Sequence, residues 1–211
     1  LLRQISPDLC RLKIGKQMFT LYGPEFVQEC VSLGYDVFLD LKFHDIPNTV
    51  AAAVQAACDL GVWMLNVHVQ GGGDMLRAAR RVVDALPGFK PQLIGVTVLT
   101  SLSTEDLRSL GHTACVEDLV LRYALLAQSE GLDGVVCSAQ EARVLRQHVA
   151  ADFKLVTPGI VLDSAFQHDQ KRVLTPLEAK QSGADYLVIG RSIICSDDPV
   201  ARLNECIRQL L

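Results

Sequence analysis

A parallel α/β fold is what this 211-residue sequence predicts, on three observations. Short runs rich in Val, Ile and Leu recur along the chain, as expected of strands buried on both faces. Amphipathic stretches alternate with them, which is the pattern of a parallel sheet and its covering helices. Glycine follows four of those stretches, at Gly34, Gly61, Gly131 and Gly183, where a helix end favours a residue tolerant of positive φ.

Taken in order, the expected strands are Cys10–Ile14, Asp36–Leu41, Met64–Val67, Gln92–Val98, Gly134–Cys137, Lys154–Val156 and Tyr186–Ile189. The helical patterns between them are Pro24–Ser32, Ile46–Leu60, Met75–Leu86, Val116–Glu130, Ala139–His148, Pro176–Gln181 and Pro199–Leu210. A doubly wound sheet usually carries a Gly-rich turn after its first strand. The cluster Gly71-Gly72-Gly73 does not spell that fingerprint. The pattern is one strand–helix pair short of a closed eightfold ring. The expected architecture is therefore a (β/α)8 TIM barrel forming one domain over residues 1–211, with its first strand missing from this sequence.

Composition narrows the function classes. Hydrophobic residues make up 49% and charged residues 21%, ordinary for a globular chain. The net charge is −4, and no basic block occurs anywhere, so neither a nucleic-acid groove nor a polybasic membrane patch is expected. An anionic ligand must be gripped by a local pocket. No apolar run reaches the ~18 residues of a membrane span. The seven cysteines are scattered and none forms C-x-x-C, which speaks against zinc, a disulfide framework or thioredoxin-like chemistry. Buried thiols in a reducing cytoplasm are the expectation.

Barrel active sites gather at the carboxyl ends of the strands. There the densest chemistry is Asp40-Leu41-Lys42-Phe43-His44-Asp45-Ile46-Pro47-Asn48-Thr49. Residues i and i+2 of a strand share a face, so Asp40 and Lys42 are expected to point together, with Asp45 arriving where the chain turns. A structural salt bridge would explain Asp40 and Lys42 alone. Lys13 and Asp45 extend the array to alternating charges, and burying ions costs more than their pairing usually returns. At the other end of the chain, Val188-Ile189-Gly190-Arg191 combines a glycine that lets backbone N–H groups approach an anion with a guanidinium fork. His68, inside an apolar stretch, is expected to be a packed histidine rather than a metal ligand. His44 is expected to neighbour the charge cluster, and His112, His148 and His168 to face solvent.

These segments resemble the orotidine 5′-phosphate decarboxylase family, in its bacterial single-function form. The run from Asp40 to Thr49 looks like the family's signature, and four shorter motifs follow its order and spacing over essentially the whole chain. They are Arg11–Gly15, Thr97–Ser101, Thr157–Ile160 and Val188–Arg191. The resemblance implies loss of CO2 from orotidine 5′-monophosphate, giving UMP in the last step of pyrimidine nucleotide synthesis. It implies that Lys42 protonates C6, that Asp40 sits beside the substrate carboxylate, and that Lys13 bridges Asp40 and the ribose. Asp45, Ile46 and Thr49 would reach the site of a second subunit, making a homodimer with shared sites. Thr100 and Ser101 would lie near the pyrimidine, Pro158 would pack on it, and Gln170, Gly190 and Arg191 would hold the phosphate. No metal and no cofactor is implied, since no metal, pyridoxal or thiamin motif is present to act as an electron sink. The cytoplasm is the implied location.

Two departures accompany the resemblance. The family's ribose-binding Asp on strand one has no counterpart here. Val161 stands where the family usually carries a second phosphate-binding Arg, at the start of an expected mobile phosphate lid over Leu162–His168. Two other readings remain open at this level. One is an Mg2+-dependent sugar-phosphate decarboxylase or aldolase of the same superfamily. The other is a phosphate-ligand barrel without catalysis.

Overall fold

The computed structural model describes residues 2–162 and 174–211. Two compact units make up the chain. One comprises Leu2–Val96 with Leu126–Gly134, the other Thr97–Leu125 with Val135–Leu211.

The first unit is built from β1 (Leu12–Gly15), α1 (Lys16–Ser32), β2 (Val37–Phe43), α2 (Pro47–Asp59), β3 (Met64–His68), α3 (Gly72–Asp84) and β4 (Gln92–Val96). Its strands pair in chain order, all parallel: Leu12 lies opposite Val37, Phe38 opposite Met64, and Met64 opposite Gln92. Consecutive parallel strands need a crossover between them, and the helices supply it. Leu39, Met64, Leu65, Met75, Leu76, Leu93 and Ile94 are fully buried, each worth about 1.5–3 kcal/mol in removed apolar surface. Helix α1 starts well before the expected Pro24. It contains a break at Gly23, whose φ is 68°, and Pro24 opens its second segment, where a missing N–H costs nothing.

The second unit carries α4 (Thr104–Ser109), β5 (Gly134–Val136), α6 (Ala139–Leu145), β6 (Lys154–Thr157), α7 (Pro176–Gln181), β7 (Tyr186–Leu187), α8 (Arg191–Ile194) and α9 (Pro199–Leu210). Helix α5 (Val116–Ser129) runs through the boundary between the units, as β5 does. Strand β6 pairs in parallel with β7, Val156 opposite Tyr186, and the Cys137 N–H donates to Val156 O. Three helices begin with reciprocal capping boxes: Ser103 with Asp106, Ser138 with Glu141, and Thr175 with Glu178. Each box satisfies two backbone donors that a helix start would otherwise leave unpaired.

The strand starts share a clamp. Asp133 precedes β5, and its Oδ2 accepts from the Leu93 N–H at 2.7 Å and from Arg80 at 3.0 Å. Asp185 precedes β7, and its Oδ2 accepts from the Leu155 N–H at 2.8 Å and from Arg146 at 2.5 Å. Asp36 precedes β2 and pairs with Arg11 at 3.1 Å, while that guanidinium lies 4.4 Å from the centre of the Trp63 ring. The glycines just upstream, Gly131 and Gly183, have φ of 77° and 89°. That left-handed turn lets the chain leave a helix and enter the next strand.

The expected thiol burial holds for Cys30, Cys137 and Cys206, while Cys195 is exposed, at the C-cap of the short α8.

Candidate active site

The charged cluster sits at the carboxyl end of β2, within the first unit. Asp40 is nearly buried at 9% exposure and receives both lysines. Lys42 Nζ lies 2.6 Å from Asp40 Oδ1, and Lys13 Nζ lies 3.1 Å from Oδ2. The parallel register sets Gly15 opposite Asp40, so β1 delivers Lys13 from two residues earlier on the neighbouring strand. Burial is the largest single influence on the Asp40 carboxyl and pushes its pKa up. The Lys13 charge, the Lys42 hydrogen bond and charge, and the Asn66 amide together outweigh it, so the carboxyl ends below its ordinary value.

Simple strand alternation does not deliver Lys42. Three residues of β2, Asp40 to Lys42, lie between the pairs Leu39–Leu65 and Phe43–Val67, and β3 has only Asn66 there. Lys42 takes φ of 54°, the one non-glycine at positive φ among the described residues. Such a conformation costs roughly 1–3 kcal/mol and tends to occur at functional sites. The expected contact between Asp40 and Lys42 exists, through an irregular strand rather than a regular pleat.

Asn66 stands at a strand carboxyl end, where site residues are expected, but the resemblance gives it no role. Its side chain is fully buried. The amide nitrogen donates to Asp40 Oδ1 at 2.7 Å, and the amide oxygen accepts from the Lys42 backbone N–H at 2.8 Å. The sequence signal was an amide inside the apolar run Met64–Val67, at a strand end that also carries His68.

His68 packs its ring 5.3 Å from that of His44. Burial first, and then the nearby His44, Lys16 and Lys42, lower its pKa to about 4, against a smaller opposing pull from Asp40. It is thus a neutral packed histidine, as expected. Among the described residues no group of His, Cys, Asp and Glu is arranged to hold a metal ion. His112 is half-buried rather than solvent-facing, His148 is exposed, and His168 lies outside the described residues.

Asp45, Ile46 and Thr49 are exposed, Ile46 at 67%. Asp45 Oδ1 accepts from the Ile46 N–H at 2.7 Å, and among the described residues Asp45 makes no ion pair with Lys42. The remaining expected residues belong to the second unit. Thr100 is half-buried and Ser101 exposed in the turn beyond β4, and Pro158 is half-buried after β6. Gly190 and Arg191 are exposed at the start of α8. Among the described residues a Cβ at Gly190 would meet no atom within 4 Å, so none of them demands glycine there. The Val161 N–H donates to Leu174 O at 3.1 Å. Gln170 and the expected lid from residue 163 onward lie outside the described residues.

A parallel α/β chain whose strand ends gather Lys13, Asp40 and Lys42 belongs to the class of (β/α)8-type enzymes that work at strand carboxyl ends. The family model described as "Orotidine 5'-phosphate decarboxylase / HUMPS family" matches residues 1–206. An orotidine 5′-phosphate decarboxylase of Vibrio cholerae serotype O1 is 55% identical over 202 residues, covering 96% of this chain and 87% of the relative. One from Pseudoalteromonas translucida is 54% identical over 203 residues, with the same coverage of 96% and 87%. Among solved structures, an uncharacterized conserved protein from Geobacillus kaustophilus superposes with TM-score 0.85 at 36% identity, over 99% of this chain and 93% of its own. The orotidine 5′-phosphate decarboxylase of Lactobacillus acidophilus gives TM-score 0.83 at 35% identity, over 93% and 85%. The chain belongs to the orotidine 5′-phosphate decarboxylase / HUMPS family.

Proposed function

We propose that this chain decarboxylates orotidine 5′-monophosphate to UMP and CO2, without a cofactor, as the closing step of pyrimidine nucleotide synthesis. The observation that carries the reading is the Asp40 carboxylate held between the Lys13 and Lys42 ammonium groups. Loss of CO2 from C6 leaves a carbanion with little delocalisation. An ammonium at that carbon stabilises the developing charge and then delivers a proton, the role of Lys42. Asp40 stands beside the substrate carboxylate and repels it. At ~4 Å and an effective dielectric of ~20 this amounts to roughly 4 kcal/mol. Enzymatic accelerations span about 8–23 kcal/mol, so stabilisation of the carbanion and binding of the remote phosphate supply the larger share.

Within this reading Lys13 contacts the ribose, Thr100, Ser101 and Pro158 face the base, and Gln170, Gly190 and Arg191 hold the phosphate. That no described residue lies within 4 Å of a Cβ built at Gly190 supports an anion approaching its backbone. Exposed Asp45, Ile46 and Thr49, with Leu21 at 65% and Tyr22 at 58% exposure on α1, support a homodimer in which each subunit completes the other's site. The chain acts as one decarboxylase domain in the cytoplasm. Among the described residues no helix is long and apolar enough to cross a membrane.

The test follows orotidine 5′-monophosphate by its absorbance, with and without a chelator. Turnover insensitive to chelation and abolished in Lys42→Ala supports the reading. Turnover that the chelator abolishes points instead to an Mg2+-dependent sugar-phosphate chemistry. A Lys42→Ala protein with near-normal rate removes the assignment of the proton donor.

A further inference from the structure

We propose that Asn66 is a positioning residue for the decarboxylation, coupling the orientation of Asp40 to the backbone that carries Lys42. The inference rests on the reading of this site as an orotidine 5′-monophosphate decarboxylase centre and goes beyond it. Three residues of β2 face one residue of β3 at this point, so the ladder cannot supply a regular acceptor for the Lys42 N–H. The Asn66 side-chain oxygen stands in for that acceptor, at 2.8 Å. The same amide donates to Asp40 Oδ1 at 2.7 Å, the oxygen that also receives Lys42 Nζ at 2.6 Å. A carboxylate can only accept and a backbone N–H can only donate, so the two bonds admit one orientation of the amide.

A packing role alone does not account for this residue. Asn66 is fully buried, opposite Ile94 in the register of β3 and β4, and an aliphatic side chain there would not require desolvating an amide. Its two side-chain hydrogen bonds go to the Asp40 carboxylate and to the positive-φ backbone of Lys42. Asn66 touches neither substrate nor reacting atoms in this scheme. It holds the carboxylate and the lysine in the relative geometry that the reaction uses.

The experiment compares wild type, Asn66→Ala and Asn66→Asp by kcat, KM and pH profile, with urea unfolding as the check on folding. Asn66→Ala is expected to lose about 100-fold in kcat, the scale on which a misplacement of ~1 Å acts, with KM within threefold of wild type. In Asn66→Asp the new carboxyl keeps the acceptor for Lys42 but sits against Asp40, so the pair should retain one proton. Protonated, the new carboxyl donates as the amide did. The kcat of Asn66→Asp relative to wild type should therefore rise as pH is lowered, and fall as that proton is lost. A pH profile parallel to wild type, a loss confined to KM, or a loss that tracks the unfolded fraction overturns the proposal. Absence of wild-type turnover overturns the functional reading and this inference with it. Normal wild-type turnover with unaffected variants overturns this inference alone.

Discussion

Lys42 and Asp40 are two residues apart in sequence and 2.6 Å apart at their charged ends, yet the backbone between them is not a regular strand. Lys42 adopts φ of 54°, and β2 shifts its register against β3 between Leu39 and Phe43. The irregularity re-aims a side chain at the end of a buried strand, as β-bulges beside active sites do. In energetic terms, local strain is kept where it sets a charge pair.

That strain can be measured with Lys42→Gly and Lys42→Ala. Both remove the ammonium, but only glycine relieves a Cβ held at positive φ, so Lys42→Gly should be the more stable by roughly 1 kcal/mol. Urea unfolding of the two proteins reads the difference directly. Equal stabilities would mean that the backbone at Lys42 carries no strain.

Asp40 predicts a pH dependence. Its carboxyl titrates below its ordinary value in the fold. A lowered value means a contribution present above the unfolded carboxylate pKa of about 4 and lost as pH falls through the lower folded value. Wild type should exceed Asp40→Asn by roughly 1.5–3 kcal/mol near neutrality, the range for hydrogen bonds to charged groups. The gap should narrow in acid below about pH 4. Urea titrations of both proteins at pH 7 and pH 3.5 check it, and a gap that stays constant contradicts the assigned direction.

The fold and half of the site were legible in residue pattern. Each of the expected strands exists within a few residues, because buried parallel strands must be apolar on both faces. β7 is shorter than expected, at Tyr186–Leu187, and α4 and α8 lie outside the expected helices, α8 because a run of four residues carries no amphipathic period. The box residues Ser103 and Asp106 were the available signal for α4. Lys13, Asp40 and Lys42 were legible because charges at a strand end are costly without a purpose. The positive φ of Lys42 was not, since alternation assumes a regular pleat. The role of Asn66 was not legible for a related reason: the amide and its strand-end position can be read, but its two bonds depend on a register shift that exists only once β2 and β3 pair.

His68 supplies a second pH effect, of opposite sense to a histidine whose pKa is raised by a carboxylate partner. Its pKa is lowered to about 4 by burial and the surrounding cations. The unfolded chain therefore binds a proton at this position between about pH 6.5 and pH 4 that the folded protein refuses. Stability should decline as pH is lowered through that window, with no effect above it. His68→Gln cannot titrate, so its stability relative to wild type should rise from pH 7 to pH 4.5. Ring-proton NMR should show His68 unprotonated at pH 5.5. Protonation near pH 6.5 would contradict the buried, cation-flanked environment.

The clamp at the start of β7 yields the last prediction. Arg146 donates to Phe153 O and Gly183 O at 2.9 Å each and pairs with Asp185 at 2.5 Å. Asp185 in turn accepts the Leu155 N–H at 2.8 Å, so one ion pair ties the end of α6 to the starts of β6 and β7. Arg146→Ala removes three bonds and should cost roughly 3 kcal/mol, at about 1 kcal/mol net for each. Arg146→Lys keeps the charge but cannot offer the planar fork to three acceptors, so it should recover less than half of that loss. Asp185→Ala should cost a comparable amount, and the double variant clearly less than the sum, because both changes break the same contact. Strict additivity in urea unfolding would show that the two side chains act independently.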